Sequence, residues 1–157
     1  MDWVTRLNPL RNRLFHIYFR FFRPVTMGVR GVVIDDQNRV LLVRHSYVPG
    51  WHIPGGGVEK DESAALSLSR ELREEGNIEV TGPMTLHGIY FNKRASRRDH
   101  VLVYVVREFI FHGPRPPDFE IVESGFFALD ALPPATTRST RERLDEIFAG
   151  KAQAEIF

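Results

Sequence analysis

The 157-residue chain contains no cysteine. That excludes disulfides, zinc–thiolate centres and a thiol nucleophile, and it suits a reducing compartment. Long apolar runs are also missing. The longest candidates, 14–22 and 101–106, are interrupted by Arg20 or too short for the roughly 18 residues a membrane span needs. No apolar stretch leading to a small-residue cleavage site opens the sequence, so no signal peptide is expected and a cytoplasmic location is. Net charge is the third thing lacking: 21 Lys plus Arg against 20 Asp plus Glu leave +1. Nothing global therefore draws the chain to DNA or another polyanion, and anion binding has to come from local clusters.

What is present is enough for a single core. Hydrophobic residues make up 43% of the sequence, with 12 Phe among them, and one domain is the default at this length. Residues 3–22 place Leu7, Leu10, Leu14, Ile17, Tyr18, Phe21 and Phe22 at helical spacing, and Pro24 stops the pattern. Six Arg against Asp2 make residues 1–30 basic. This reads as an N-terminal amphipathic helix over residues 1–25, docked on its own domain with its Arg facing water. Contact with a membrane surface, or with a second subunit in a homodimer, is the alternative.

Residues 26–157 read as the main domain. Gly31–Ile34, the turn Asp35–Asn38 and Val40–Val43 predict a β-hairpin, with a short strand at 51–53 after it. The segment 61–75 predicts a helix capped by Asp61, with Ala65, Leu68 and Leu72 on its core face and a stop at Gly76-Asn77. Strands are expected at 85–91, 101–111 and 126–129, with a last helix at 140–149. Hairpin neighbours interleaved with helices argue for an α+β sandwich, a mixed β-sheet between helices.

The chemistry is concentrated at 56–78. Glu71, Glu74 and Glu75 stand at i, i+3 and i+4 of one helix and share a face. Three like charges there ask for a cation, and oxygen ligands without His or Cys suit Mg²⁺ or Mn²⁺, hence phosphate chemistry. A solvated helix face with Arg70 paired to Glu74 is the competing reading of the cluster taken alone. The wider spacing decides between them. Gly56, Glu62, Arg70-Glu71, Glu74-Glu75 and Ile78 resemble the Nudix box, G-x5-E-x7-R-E-U-x-E-E-x-G-U with U a bulky aliphatic. One position departs: Asn77 stands at the second box glycine, where a left-handed conformation is wanted and Asn is tolerated. The resemblance covers about residues 26–149, including Glu120-Ile-Val-Glu123 and Phe126-Phe127.

The resemblance implies a Nudix fold and a Mg²⁺-dependent (or Mn²⁺-dependent) pyrophosphohydrolase of nucleoside diphosphates linked to a group X. It implies Glu74, Glu75 and the Gly55 carbonyl as metal ligands, and Glu71 as a further ligand or the general base. Arg70 would orient the carboxylates and pair with Glu62. Glu120 and Glu123 are the candidates for a base outside the box, with Glu123 preferred. Lys93, Arg94, Arg97 and Arg98 form a basic loop that could meet substrate phosphates, with a solvated loop tip as the alternative. Tyr90 and Phe127 could stack a base or belong to the core. His45 and His52 read as structural or pocket-lining. No sequence signature marks an ADP-ribose, diadenosine-polyphosphate, RNA 5′-end or NADH substrate. A general nucleoside tri- or diphosphate is expected first, and a nucleotide sugar next. A nucleotide-sensing module without turnover is the alternative class.

Overall fold

The computed structural model describes residues 25–157; the N-terminal helix expected at 3–22 lies outside them. Seven strands and two α-helices follow in the order β1 Thr26–Val33, β2 Val40–His45, α1 Ala64–Gly76, β3 Ile78–Val80, β4 Met84–Phe91, β5 Asp99–Val106, β6 Phe109–Phe111, β7 Ile121–Phe127 and α2 Arg138–Ala149. They pair as β1-β5-β4, β2-β7 and β3-β6. Of these strand pairs, β1–β5 is parallel and the rest are antiparallel, so the sheet is mixed. Among the described residues no helix is long and apolar enough to cross a membrane.

Alternation along β1 and β2 explains the layering. Val29, Val33 and Leu41 pack with Leu68 and Leu72 of α1. Their neighbours Val32, Ile34, Val40 and Leu42 turn the other way and pack with Leu144 of α2, together with Trp51, Tyr90 and Val103. A strand covered on both faces needs apolar residues at successive positions, which is why 31–34 and 40–43 are continuous hydrophobic runs. Between Val29 and Val33 the inward position is Gly31. A Cβ there would stand 3.0 Å from Leu68 and 3.1 Å from Leu72, so the glycine lets α1 sit directly on β1.

The expected hairpin is corrected. Its turn forms: Asp35 N–H donates to Arg39 O at 3.0 Å and Asn38 N–H to Asp35 O at 2.9 Å. Beyond the Ile34–Val40 bridge, however, the two strands part. One edge of β1 takes β5. Its other edge takes the glycine loop, through Val29 N–H to Gly56 O, Gly31 N–H to Pro54 O and Val58 N–H to Met27 O. With both edges of β1 occupied, β2 pairs with β7. The expected strand 51–53 is reduced to bridges at Trp51 and His52. The run 101–111 breaks after Val106, and its end pairs with β3.

Helix α1 begins two residues later than expected, with Ser63 as N-cap accepting from Leu66 N–H, while Asp61 takes a left-handed φ of 63°. Ala65 is exposed and Ala64 packs inward instead. At the other end Asn77 adopts φ 54° and ψ 37° and donates its backbone N–H to Arg73 and Leu72 carbonyls. That is the left-handed stop the box glycine would supply.

Gly31→Val should press two added methyls into Leu68 and Leu72 and lower stability by about 1–3 kcal/mol. The urea midpoint is the measurement, with Ser69→Ala on α1 as a control expected to stay near the parent.

Candidate active site

Packing the glycine loop along β1 carries Gly55 and Gly56 onto the end of α1. Glu75 is only 5% exposed, and its Oε2 accepts the Gly55 N–H at 2.8 Å. A Cβ on Gly56 would fall on the Glu71 carboxylate, and one on Gly55, whose φ is 139°, would fall on the Val29 carbonyl. Both glycines are therefore demanded by contact: Gly56 leaves room for Glu71, and Gly55 lets the loop touch β1. Arg30, from the middle of β1, donates through Nη1 to the Gly55 carbonyl and, at 3.4 Å, to Ile53 O.

Charge at this point is unevenly compensated. Arg70 forks onto Glu62 through Nε and Nη2, both at 3.1 Å. Its Nη1 donates to Glu71 at 2.7 Å and lies 3.5 Å from Glu74. Glu75 has no such partner. Burial pushes its carboxyl up to about 7, and the Gly55 N–H and Arg30 offset this only in part. His45 Nε2 lies 3.5 Å from Glu75 Oε1, but burial and nearby Arg30 hold the imidazole down at about 4. Between those two values the contact joins two neutral groups and is not an ion pair. His45 Nδ1 is buried with no hydrogen-bond partner among the described residues.

A cleft of about 670 Å³ opens above these groups. Arg30, His45, Tyr47, His52, Gly55, Gly56 and Gly57 line one side of it, and Asn92, Ala95 and Asp99 another. The carboxylates of Glu71 and Glu75 do not line it themselves but lie against Gly56 and Gly55, which do; with the backbone carbonyls of the glycine loop they are the hard oxygen donors that suit a divalent cation keeping several waters. Among the described residues no three acidic or His side chains converge on one point, so the site is no closed cage of protein ligands. Glu74, expected among the ligands, has its side chain 60% exposed beside Arg70. The Gly55 carbonyl is engaged by Arg30.

The other expected residues separate clearly. Arg44 and Glu123 pair at 2.9 Å opposite one another in the β2–β7 ladder, with Arg44 over the Trp51 ring. Their alternates Leu41 and Phe126 face α1, so Glu123 stands on the sheet face away from Glu71 and Glu75. Glu120 lies in the turn before β7, with Tyr47 Oη 3.5 Å away, and its charge reaches Glu75. Of the two, Glu120 is placed on the Glu75 side and Glu123 away from it. Tyr90 is not a stacking residue: it is 1% exposed and donates its hydroxyl to Glu146 at 2.6 Å. Phe127 packs edge-on against Trp51 at 4.9 Å, within the core. Alternation put both rings inside. Lys93, Arg94, Arg97 and Arg98 are exposed, and none of the four lines the cleft; Arg94 borders a separate cavity beside α2. The loop supplies Asn92, Ala95 and Asp99 instead. Sequence reasoning missed Arg30 and Tyr47; the signal for Arg30 was a lone cation inside an apolar strand run, Val29-Arg30-Gly31-Val32.

A mixed sheet between helices, with a glutamate helix under a glycine loop, is an arrangement shared with known proteins. The NUDIX domain family model matches residues 24–147, and the chain belongs to that family. A MutT NUDIX hydrolase structure from Burkholderia pseudomallei superposes with a TM-score of 0.67 at 27% identity, covering 79% of this chain and 98% of that one. An ADP-ribose pyrophosphatase of Methanocaldococcus jannaschii is 27% identical over 118 residues, 73% of this chain and 69% of that protein. A MutT-like protein of Streptomyces ambofaciens is 36% identical over 67 residues, 43% of each chain. The chain spans less than half the length of that relative and of several other curated proteins it matches.

Gly55→Ala should lift the glycine loop off β1, through both the positive φ and the clash with the Val29 carbonyl. The expected loss is about 3 kcal/mol or more, read as a fall in the denaturation midpoint.

Proposed function

We propose that the chain is a divalent-metal-dependent pyrophosphohydrolase of a nucleoside diphosphate linked to a further group: a nucleoside tri- or diphosphate first, a nucleotide sugar next. The observation that carries this reading is the placement of Glu71 and the buried Glu75 on one face of α1, against Gly55 and Gly56 at the cleft. The two relatives named for MutT, and the one named for ADP-ribose hydrolysis, support the same reaction class.

Glu71 and Glu75 would hold Mg²⁺ or Mn²⁺, with Glu74 and the Gly55 carbonyl completing the set if Arg30 releases that carbonyl. When bound, such a cation supplies charge neutralisation at the phosphates and lowers the pKa of a bound water. The chain's own residues then have separate tasks. Arg30, with a guanidinium in the cleft wall, offers N–H donors to phosphate oxygens in the bidentate geometry Arg favours. Arg70 keeps the Glu71 carboxylate oriented. Glu120 accepts the proton of the attacking water, since of Glu120 and Glu123 it is the one whose charge reaches Glu75. The glycine loop and Tyr47 wall the reacting bond.

The deciding experiment incubates purified protein with nucleoside triphosphates, nucleotide sugars, ADP-ribose and dinucleotides plus Mg²⁺ or Mn²⁺, beside a Glu75→Gln control. Release of a nucleoside monophosphate, with the control down by about 10²-fold or more in kcat, is expected. Tight nucleotide binding without turnover would establish the sensing module instead.

A pH dependence follows from the buried carboxylate. Its ionised form is the ligand, and its pKa in the metal-free fold is about 7. Cation affinity should therefore be flat above that pH and fall by about tenfold per unit below it as Glu75 takes up its proton. Calorimetric Mn²⁺ titrations between pH 5.5 and 8.5 measure it; an affinity flat across that range would assign the cation to other ligands.

A further inference from the structure

Past α2 the chain continues through Lys151–Phe157, beyond residue 147 where the family match ends. This tail is built into the sheet. Phe91 N–H donates to Glu155 O at 2.9 Å and Phe157 N–H donates to Phe91 O at 3.1 Å. Ile156 thus pairs in parallel with Phe91 along the edge of β4 that β5 leaves open.

Side chains fix the same segment. Arg143 of α2, 0% exposed, donates to Ile156 O at 3.1 Å and to Glu146 Oε1 at 2.7 Å. The Glu146 carboxylate also accepts the Ala154 N–H at 3.0 Å and the Tyr90 hydroxyl at 2.6 Å. The guanidinium of Arg143 sits 4.2 Å over the Tyr90 ring and 5.8 Å from that of Phe157. Gln153 donates its side-chain amide to the His87 carbonyl. Covering an open strand edge is one service of such a tail.

The next residue along the chain gives it a second. Phe91 is the last residue of β4, and the tail holds both of its backbone polar groups. Asn92 follows at once, and with Ala95 and Asp99 it forms one wall of the active cleft. That wall is a small closed unit: Asn92 N–H donates to Asp99 O, Ala95 and Ser96 N–H donate to Asn92 O, and Asn92 Nδ2 donates to Asp99 Oδ2 at 2.8 Å. A unit closed on itself takes its position from where its ends are anchored. One end is anchored by β1, through Thr26 Oγ1 to Asp99 Oδ1 at 2.6 Å. The other is anchored by the tail. Arg94, from the same loop, shares a cavity with Ala154, Ile156 and Phe157.

We infer that Lys151–Phe157 is a positioning element for the cleft: by holding Phe91 it sets where Asn92 and Ala95 stand against bound substrate. No residue of the tail lines the cleft, so its loss acts on substrate binding more than on the chemistry at Glu71 and Glu75. The kinetic consequence rests on the hydrolase reading; the structural one does not.

Two variants test it, a chain ended at Gly150 and full-length Phe157→Pro, which removes the N–H given to Phe91 and keeps the test open should the shorter chain fail to fold. Amide exchange at Asn92, Ala95, Ser96 and Asp99 should accelerate by about tenfold or more while α1 amides keep their parent rates. With substrate, KM should rise about threefold to tenfold and kcat stay within about twofold. Loop amides at parent rates in the variants overturn the inference. So does equal acceleration in the loop and α1, which marks general destabilisation. A parent protein without turnover counts against the hydrolase reading alone, and the exchange data then decide this one.

Discussion

One hydrogen bond joins the structural and chemical halves of this protein: the Gly55 N–H given to the buried Glu75 carboxylate. It requires α1 to lie flat on β1, which Gly31 permits. It requires the glycine loop to run along the open edge of β1, which Gly55 permits by its conformation. It also puts a carboxylate where water is scarce, and a carboxylate so placed is raised in pKa and receptive to a cation. The sheet, the loop and the helix are each arranged so that this one contact can exist.

Around that contact, carboxylates are treated in opposite ways within one helix. Glu71 shares Arg70 with Glu62 and Glu74, a fork of charge-assisted bonds that keeps these groups oriented. Glu75, one helical turn from Glu71, is given a neutral imidazole and a backbone amide.

Much of this was legible in the sequence because it is local. The box spacing, the helix carrying it, the left-handed stop at Asn77 and the doubly apolar strand runs all depend on near neighbours and on periodicity. What was not legible is what depends on which strand meets which. The turn at 35–39 is real, yet β1 pairs with β5 and not with β2, because both edges of β1 are claimed by distant segments. The different placement of Glu120 and Glu123 depends on a sheet face that only the β2–β7 register with its bulge at Arg44/His45 reveals. Tyr90 and Phe127 are strand aromatics whose side was not readable until the partner strands were known. The basic loop was found correctly as a cluster of charge, but its four cations do not line the cleft, whereas Asn92, Ala95 and the adjoining Asp99 do.

The parallel pairing of β1 with β5 has a consequence for how the protein comes into being. Thr26 and Asp99, joined through their side chains, are separated by 73 residues, and all eight residues of β1 find their partners at that distance. Contacts of such sequence separation are slow to close and arise cooperatively. A chain still being synthesised, with β5 not yet made, would already contain every residue of the 56–78 motif and have no cleft around them. The chemistry of this fold is thus written early in the chain and becomes available late, when the second half arrives to enclose it.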